Sequence, residues 1–416
     1  KGQAPPKGQA PPKGTGSTQR DRLHPKGQAP PKGTGSTQRD RLFLEKVGNR
    51  WFCLFPSEPA SSLGRMRCFL YIWIWSWVLA GLGPSKALAA PDATNSVVPV
   101  PAKARIQAIS DPHATSAFIP DLGVIRKLVD RGLLALSGKT NAAAAWKVWV
   151  KPEDVVGFKV ISAPGALTGT RPTVVEALID SLIQSGHPAS KIVIWDRQAR
   201  DLKASGFEDL AHRLGVRCVA TTDAGWDGNQ FYESAVQGKL VFGDFEFGKG
   251  DRFAVGRRSH VSKLLTKEVT RIIPVTPLLT HHSGGIYGHL LSLAFGSVDN
   301  MFRFETDPSR TEESVPELCA LDDLMPKVAF GVTDALVGQV RGDDKARLHD
   351  TIALNELRFG TDLVALDVIS IADVTAARKA YPIEGERALR TELFFNAELL
   401  ELGIANTNRI EVLRAP

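Results

Sequence analysis

Segments with the pattern of buried strands alternate with segments of helical period from residue 155 onward. Residues 155–161 (VVGFKVI) and 191–196 (KIVIWD) are short apolar runs that predict strands, and residues 172–185 repeat apolar pairs at the helical period. Residues 216–221 predict another strand. Strands that alternate with helices favour a mostly parallel or mixed sheet with helices on both faces. The sequence therefore predicts an α/β fold.

Later segments continue this pattern. Residues 268–275 and 327–332 predict strands, and residues 362–379 have the pattern of a long amphipathic helix. We therefore expect a single α/β domain over residues 109–416. Residues 90–108, rich in Pro, Ala and Val, predict a linker in front of it.

The first 65 residues are a low-complexity segment. The run KGQAPPKGTGSTQRDRL recurs with a period of 19 residues. Its Pro, Gly, Lys and Gln offer almost nothing that builds a core, which predicts disorder. The duplication and the missing initiator Met suggest an alternative, in which residues 1–65 lie upstream of a natural start at Met66.

Residues 66–89 have the features of a bacterial-type signal peptide. A short basic start precedes the apolar run 69–82 (FLYIWIWSWVLAGL), a Gly-Pro break and the small-residue site ALA at 87–89. As a helix this run spans about 21 Å, less than a hydrocarbon core of about 30 Å. We therefore expect cleavage near Ala89, export to the periplasm or the cell exterior, and no stable membrane insertion afterwards. An uncleaved anchor is the alternative.

The basic residues are concentrated at the N-terminus. Residues 1–89 hold 14 Lys and Arg against 4 Asp and Glu, a balance of +10, whereas residues 90–416 hold 37 against 41, a balance of −4. Binding to a phosphate backbone needs a clustered positive surface, which the predicted domain lacks. The sequence therefore argues against a nucleic-acid partner.

The four cysteines are scattered at positions 53, 68, 218 and 319, and no two of them form a C-x-x-C pair. An iron–sulfur cluster or a structural zinc therefore has no ligand set, and we expect neither. Only Cys218 and Cys319 belong to the predicted mature chain. They are expected either to pair in an oxidising compartment or to be two buried free thiols.

The loop at residues 163–171 (APGALTGTR) joins a predicted strand to a predicted helix. Its small residues allow a ligand to approach the backbone, and Thr168 and Thr170 supply hydroxyl groups. Arg171 lies beside the helix N-terminus, where free N–H groups and the helix dipole favour an anion. These features predict a site for a carboxylate or phosphate. A plain helix cap with an exposed arginine is the alternative.

A second candidate site follows the predicted strand 268–275. The stretch contains His281, His282, Tyr287 and His289, and ligands commonly bind where a strand of an α/β sheet ends. Neighbouring histidines on an extended chain point in opposite directions, so only one of the first two is expected to face the site. One histidine suffices for general acid–base catalysis, but the spacing predicts no metal site. A purely structural role is the alternative.

Acidic residues end several predicted elements. Asp196 ends KIVIWD and Asp334 ends VAFGVTD, where a carboxylate can orient a histidine, bind a hydroxyl or cap a helix. We take Asp196 as a candidate ligand-binding residue. Asp362 precedes the run LVALDVI, which predicts that it caps the helix that follows.

The chain resembles the family called domain of unknown function 362, in its exported form without ferredoxin clusters. The resemblance is carried by four runs, AWKVWVKPEDVVGFKV, SKLLTKEVTRIIPVTPLLTHHSGG, AFGSVDNMFRFE and RFGTDLVALDVI, and covers residues 106–412. It implies an α/β fold and an exported location. No general activity is established for this family, so the resemblance implies none.

A shorter segment, GTRPTVVEALIDSLIQSGHPASKIVIWD, is similar to the threonine-arginine-proline segment of the nickel-pincer lactate racemase family. In that family the matching loop and helix bind the phosphate-bearing cofactor or the substrate region. The similarity therefore implies ligand binding at Thr170, Arg171 and Pro172.

The chain also departs from the first family. Members often have Lys-Asp-His where this chain has Thr280-His281-His282, and Lys-Asn near its Leu291-Ser292. If those lysines are functional, this chain lacks two cations of the family's cleft. The departure implies either a different ligand or a lost activity.

Two functions follow from these features. One is an enzyme acting on a small anionic, hydroxy-acid-like substrate, with Arg171 orienting the anion and His281 or His282 as acid or base. The other is an extracytoplasmic ligand-binding or accessory protein without catalysis, which the absent lysines and the lack of G-x-S-x-G, H-E-x-x-H or Walker motifs favour. The sequence specifies neither a cofactor nor an oligomeric state. Because both segments follow strands of one parallel sheet, we expect Arg171 and one histidine to face the same cleft.

Overall fold

A computed structural model describes residues 102–249, 255–343 and 345–415 of the chain, and all of them belong to one compact unit. The low-complexity segment (residues 1–65), the predicted signal peptide (residues 66–89) and most of the predicted linker lie outside the described residues. The expectations about them therefore stay predictions.

The described strands and helices alternate as the sequence predicts. The strands are β1 (Ala104–Ser110), β2 (Thr115–Ser116), β3 (Ile119–Pro120), β4 (Val156–Val160), β5 (Ile192–Asp196), β6 (Arg217–Ala220), β7 (Trp226–Lys239), β8 (Val255–Ser262), β9 (Arg271–His281), β10 (Gly285–Ile286), β11 (Gly331–Gln339), β12 (Thr351–Gly360) and β13 (Ile410–Ala415). The helices are α1 (Leu122–Ser137), α2 (Ala142–Trp146), α3 (Pro172–Gln184), α4 (Ala199–Ala204), α5 (Phe207–Leu214), α6 (Thr221–Ala224), α7 (His289–Ser297), α8 (Phe302–Glu305), α9 (Pro308–Cys319), α10 (Leu363–Ala380) and α11 (Glu392–Leu399).

One large sheet runs through the domain in the order β13-β1-β12-β11-β9-β4-β5-β6, and β10 pairs with the end of β9. Neighbouring strands are parallel except β12, which is antiparallel to both of its neighbours, and β10, which is antiparallel to β9. The loop between β11 and β12 (residues 340–350) is shorter than the crossover of about a dozen or more residues that parallel neighbours need. The predicted α/β fold with a mostly parallel sheet is therefore confirmed.

Strand β5 shows why the central strands lack an alternation of polar and apolar residues. Ile192 and Ile194 pack in a core on one face of the sheet, whereas Val193 and Trp195 pack in a core on the other. All four side chains are fully buried. A strand that is covered on both faces must be apolar at consecutive positions, which explains the run KIVIWD.

Helices supply both of these covers. Leu128 of α1 and Leu178 of α3 belong to one core. Leu293 of α7 and Leu366 of α10 belong to the opposite core. None of the described helices is long and apolar enough to cross a membrane.

The predicted elements recur in the structure, with one correction at the start. The predicted strands 155–161 and 191–196 correspond to β4 and β5, and the predicted helix 362–379 corresponds to α10. The linker prediction for residues 90–108 is wrong at its end, because β1 already begins at Ala104. This strand is stabilised by pairing with β12 and β13. Both partners are far away in the sequence, so no local pattern predicts the pairing.

Candidate functional site

A cavity of about 150 Å³ lies at the carboxyl ends of β4, β5 and β9. These three strands are parallel and adjacent, so they end at the same edge of the sheet, where α/β proteins commonly bind ligands. We call this space the strand-end cavity. Its polar lining consists of Lys159, Asp196, Arg197, Gln198, Asp201, His281, Tyr287, Ser292 and Glu305.

Lys159 reaches the cavity from within a buried strand. Its neighbours Phe158 and Val160 face one core, so Lys159 points to the other face of the sheet, toward α7. A Cβ added to Gly296 of α7 would lie 2.1 Å from Lys159 Cε. Glycine at this position therefore leaves the room through which the lysine side chain passes.

The amine of Lys159 forms a buried ion pair with Asp196. Lys159 Nζ donates to Asp196 Oδ1 at 2.7 Å and to the Val160 carbonyl at 2.6 Å. Ser162 donates to the other carboxylate oxygen from its backbone N–H at 2.8 Å and from its hydroxyl at 2.6 Å. The lysine side chain is only 2% exposed and that of Asp196 11%. The pair is therefore held almost entirely away from water.

The surroundings change the pKa of both partners. Burial lowers the pKa of Lys159 below its usual value, although the charge of Asp196 acts in the opposite direction. Burial acts to raise the pKa of Asp196, but the charge of Lys159 and the hydrogen bonds from Lys159 and Ser162 outweigh it, so this pKa is lowered. The lysine thus loses its proton more readily than an exposed lysine does.

His281 ends β9 with its ring in a defined orientation. Its Nδ1 accepts hydrogen bonds from the backbone N–H groups of Gly284 at 3.1 Å and Ser283 at 3.3 Å. A ring nitrogen that accepts two N–H groups carries no proton, so the neutral imidazole is protonated on Nε2. Nε2 lies 3.6 Å from Glu305 Oε1, and the ring of Tyr287 packs edge-on against the imidazole. The nitrogen that carries the proton thus faces Glu305, which lines the strand-end cavity together with His281.

Two polar groups of the cavity residues have no hydrogen-bond partner in the part of the chain that the structure describes. They are Ser292 Oγ on α7 and Arg197 Nε after β5, and both atoms are buried. Buried polar atoms are nearly always satisfied, because an unmade hydrogen bond costs about 1–3 kcal/mol. Arg197 and Ser292 therefore keep hydrogen-bonding capacity that a polar ligand in the cavity can use.

Arg197 also differs from Lys159 in its charge partners. Among the described residues, no carboxylate lies within ion-pair distance of the Arg197 guanidinium. Its Nη1 donates instead to the carbonyls of Phe295 and Val298. Burial lowers the pKa of this guanidinium, although Asp244 and other nearby carboxylates act in the opposite direction. A carboxylate that enters the cavity can pair with this guanidinium.

Arg171, the predicted anion-binding residue, lies elsewhere. Its Nη1 pairs with Asp334 Oδ1 at 2.8 Å, and its Nη2 donates to the Val337 carbonyl at 2.8 Å. The loop after β4 passes over β9 to β11, which supplies both partners. Arg171 consequently lines a different cavity, of about 570 Å³. The expectation that Arg171 shares a cleft with His281 is wrong, and the charge of Arg171 is already neutralised within the protein.

The two threonines of the same loop stabilise its conformation. Thr170 Oγ1 accepts from the N–H of Ile161 at 2.9 Å and donates to the Val275 carbonyl at 2.6 Å. Thr168 Oγ1 donates to the Pro164 carbonyl at 3.0 Å, and Thr168 lines the same cavity as Arg171. The structure places neither threonine beside His281.

The structure brings three of the predicted site residues together, namely Asp196, His281 and Tyr287. His282 is exposed and does not line the cavity. The two adjacent imidazoles do not point in opposite directions. Their centroids lie only 4.4 Å apart, because β9 ends at His281 and His282 already belongs to a turn.

The other acidic and basic candidates have structural roles. His289 is fully buried, and its Nδ1 lies 2.8 Å from Asp367 Oδ1. Asp362 accepts the N–H of Ala365 at 2.9 Å, which confirms the predicted helix cap. It also accepts the N–H of Ile404 at 2.9 Å.

Sequence reasoning missed Lys159, Arg197, Ser292 and Glu305. One of them had a visible signal, because a lysine inside the apolar strand VVGFKVI is costly to bury without a purpose or a partner. Arg197 directly follows the strand-ending Asp196, which is a weaker signal. Ser292 of α7 belongs to the Leu291-Ser292 pair that departs from the resembled family, which is also a weak signal, and Glu305 of α8 had none.

Neither a metal site nor a disulfide is found in the described part of the chain. No group of three or more His, Cys, Asp or Glu residues there is arranged to hold a metal ion. Cys218 and Cys319 are free thiols, so the disulfide alternative is wrong. Burial raises the pKa of Cys218 to about 12 and also raises that of Cys319, which makes both thiols weak nucleophiles.

Comparisons with known proteins do not identify a family. No protein-family model matches the chain, and no curated protein matches it either. One solved structure that it resembles is that of a protein from Thermotoga maritima, with 12% sequence identity and a TM-score of 0.35. The match covers 61% of this chain and 58% of the other, so the chain spans less than two thirds of that protein's length. The family resemblances inferred from the sequence stay predictions.

Proposed function

We propose that this protein is an enzyme that acts on a small anionic, hydroxy-acid-like substrate in the strand-end cavity. The proposal rests on two buried polar atoms that have no hydrogen-bond partner among the described residues, Ser292 Oγ and Arg197 Nε. Both residues line the same cavity as His281. A volume of about 150 Å³ suits a molecule of a few heavy atoms.

Some residues of the strand-end cavity bind the substrate, and others take part in proton transfer. Arg197 attracts the carboxylate and Ser292 donates to or accepts from a polar oxygen of the substrate. His281 donates a hydrogen bond from Nε2–H to an oxygen of the substrate, because its Nδ1 is occupied by backbone N–H groups. Glu305, whose Oε1 lies 3.6 Å from that nitrogen, is the carboxylate that takes the proton from the substrate.

A second candidate function is ligand binding without turnover. The separation of 3.6 Å between His281 Nε2 and Glu305 Oε1 favours it, because this distance exceeds that of a hydrogen bond. In this function Arg197 and Ser292 hold the ligand, and His281 only lines the cavity.

One experiment distinguishes the two functions. Purified protein is incubated in D₂O with a panel of short 2-hydroxy acids, and exchange of the hydrogen on the carbon next to the carboxylate is followed by NMR. Binding is followed in parallel by thermal shift. We expect exchange with at least one acid, and a loss of about 100-fold or more in Glu305→Gln, as for the removal of a general base.

Glu313→Gln is the matched control, because Glu313 is an exposed glutamate of α9 that does not line the cavity. We expect this variant to exchange like the wild type. Binding without exchange would favour the second function. Exchange that survives in Glu305→Gln would refute the role given to Glu305, and absence of any stabilising acid would refute the site itself.

A further inference from the structure

Lys159 is the least expected residue of the strand-end cavity. We propose that its amine is a nucleophile that forms an imine with the carbonyl carbon of a small 2-oxo acid. The inference goes beyond the proposed function by adding a second class of small anionic substrate, and it rests on that proposal for the use of the cavity as a substrate site.

The geometry meets the requirements for an imine-forming lysine. The amine must be reachable from a cavity, shielded from bulk water and placed next to a proton acceptor. Lys159 lines the cavity and its side chain is 2% exposed. Asp196 Oδ1 lies 2.7 Å from Nζ and can accept the ammonium proton. Ser162 keeps this carboxylate in place through two hydrogen bonds.

The environment also favours the neutral amine, which is the reactive form. Burial lowers the pKa of Lys159, and a pKa lower by one gives about ten times more neutral amine at a given pH. The charge of Asp196 limits this effect but does not reverse it. An exposed lysine lacks the shielding that produces this decrease.

The other cavity residues provide what the remaining steps need. Arg197 binds the carboxylate of the 2-oxo acid and so brings the carbonyl carbon toward the amine. After giving its proton to Asp196, Nζ attacks that carbon and forms the new C–N bond, and a proton moves from the nitrogen to the carbonyl oxygen to give a carbinolamine. Asp196 then returns its proton to the hydroxyl, which leaves as water while the C=N bond forms, and His281 Nε2–H donates a hydrogen bond to the departing oxygen. One amine and one carbonyl group give one imine and one water, without any oxidant or reductant.

A structural role for the Lys159–Asp196 pair is the competing explanation. A buried ion pair adds little net stability compared with an apolar pair of similar size. Here the pair requires a glycine on α7 to leave room for the lysine. The fold therefore accommodates a cation that stability alone does not require.

The test is chemical trapping in the wild-type protein, so that it does not depend on a variant that folds. The protein is treated with glyoxylate and sodium cyanoborohydride at about pH 6, where exposed lysines are almost fully charged. The modified lysines are then mapped by peptide mass spectrometry. We expect one reduced adduct per chain at Lys159, and its loss in a folded Lys159→Met variant.

Lys327 is the internal control. It is partly buried and paired with Asp323 at 2.9 Å, but it lies outside the cavity, so we expect about tenfold less labelling there or lower. Lactate, which has no carbonyl carbon to attack, should protect Lys159 by occupying the cavity.

Labelling of exposed lysines with Lys159 unmodified would overturn the inference. If lactate still stabilises the protein in that case, the substrate site stands and only the imine is refuted. If no short acid stabilises the protein, the proposed function itself fails.

Discussion

The substitution Arg171→Met tests whether Arg171 stabilises the fold or binds a ligand. The side chains of Arg171 and Asp334 are 6% and 0% exposed, and the substitution leaves Asp334 as a buried carboxylate without its cation. Removing one partner of a buried ion pair costs about 3–5 kcal/mol. Two backbone N–H groups still donate to Asp334 at 3.3 Å, so we expect the lower end of this range.

The assay is equilibrium unfolding in urea, with the free energy of unfolding extrapolated to water. The control is Arg105→Met, because Arg105 pairs with Glu411 at the surface, where the two side chains are 72% and 46% exposed. Loss of this pair should cost about 1 kcal/mol or less. The double variant Arg171→Met, Asp334→Leu should recover most of the lost stability, because it removes both buried charges.

The same variants are then examined for binding at the strand-end cavity. Because Arg171 lines another cavity, we expect the affinity of Arg171→Met for a stabilising acid to stay within about twofold of that of the wild type, a difference below about 0.5 kcal/mol. If Arg171→Met is no less stable than Arg105→Met, the reasoning about the buried pair is refuted. If it is stable but no longer binds the acid, the anion-binding role inferred from the sequence is restored.

Two further predictions concern pH and processing. Burial raises the pKa of Asp362 to about 6, against hydrogen bonds from backbone N–H groups that act to lower it. Its contribution to stability is therefore complete below about pH 4 and is lost as the pH rises through about 6, a change of about 3 kcal/mol that Asp362→Asn should remove from the pH profile of unfolding. An unchanged profile would contradict this assignment. Expressed from Met66 in a bacterium, the mature protein should begin at Ala90 in the extracytoplasmic fraction, and peptide mapping that finds an intact Met66 on cytoplasmic protein would rule this out.

Local sequence patterns were sufficient for the class of fold. Strand β5 is buried on both faces and therefore has consecutive apolar residues, whereas helix α3 repeats its apolar residues at the helical period. A short window of sequence is enough to show both patterns. Asp362 as a helix cap is equally local, because a cap bonds to residues two or three positions away. The ends of β9 and β11 were less predictable, since both strands continue beyond residues 275 and 332 through pairing with distant neighbours.

The candidate site was only partly accessible to the same reasoning. The sequence by itself determined that chemistry-bearing residues such as Asp196 and His281 end the strands of a parallel sheet, and that such strand ends gather at one edge. The tertiary structure decided which of them meet. It paired Arg171 with Asp334 of β11, and it opened a path for Lys159 beneath Gly296 of α7. Strand order and helix packing depend on contacts between residues far apart in the chain, and no local pattern records them.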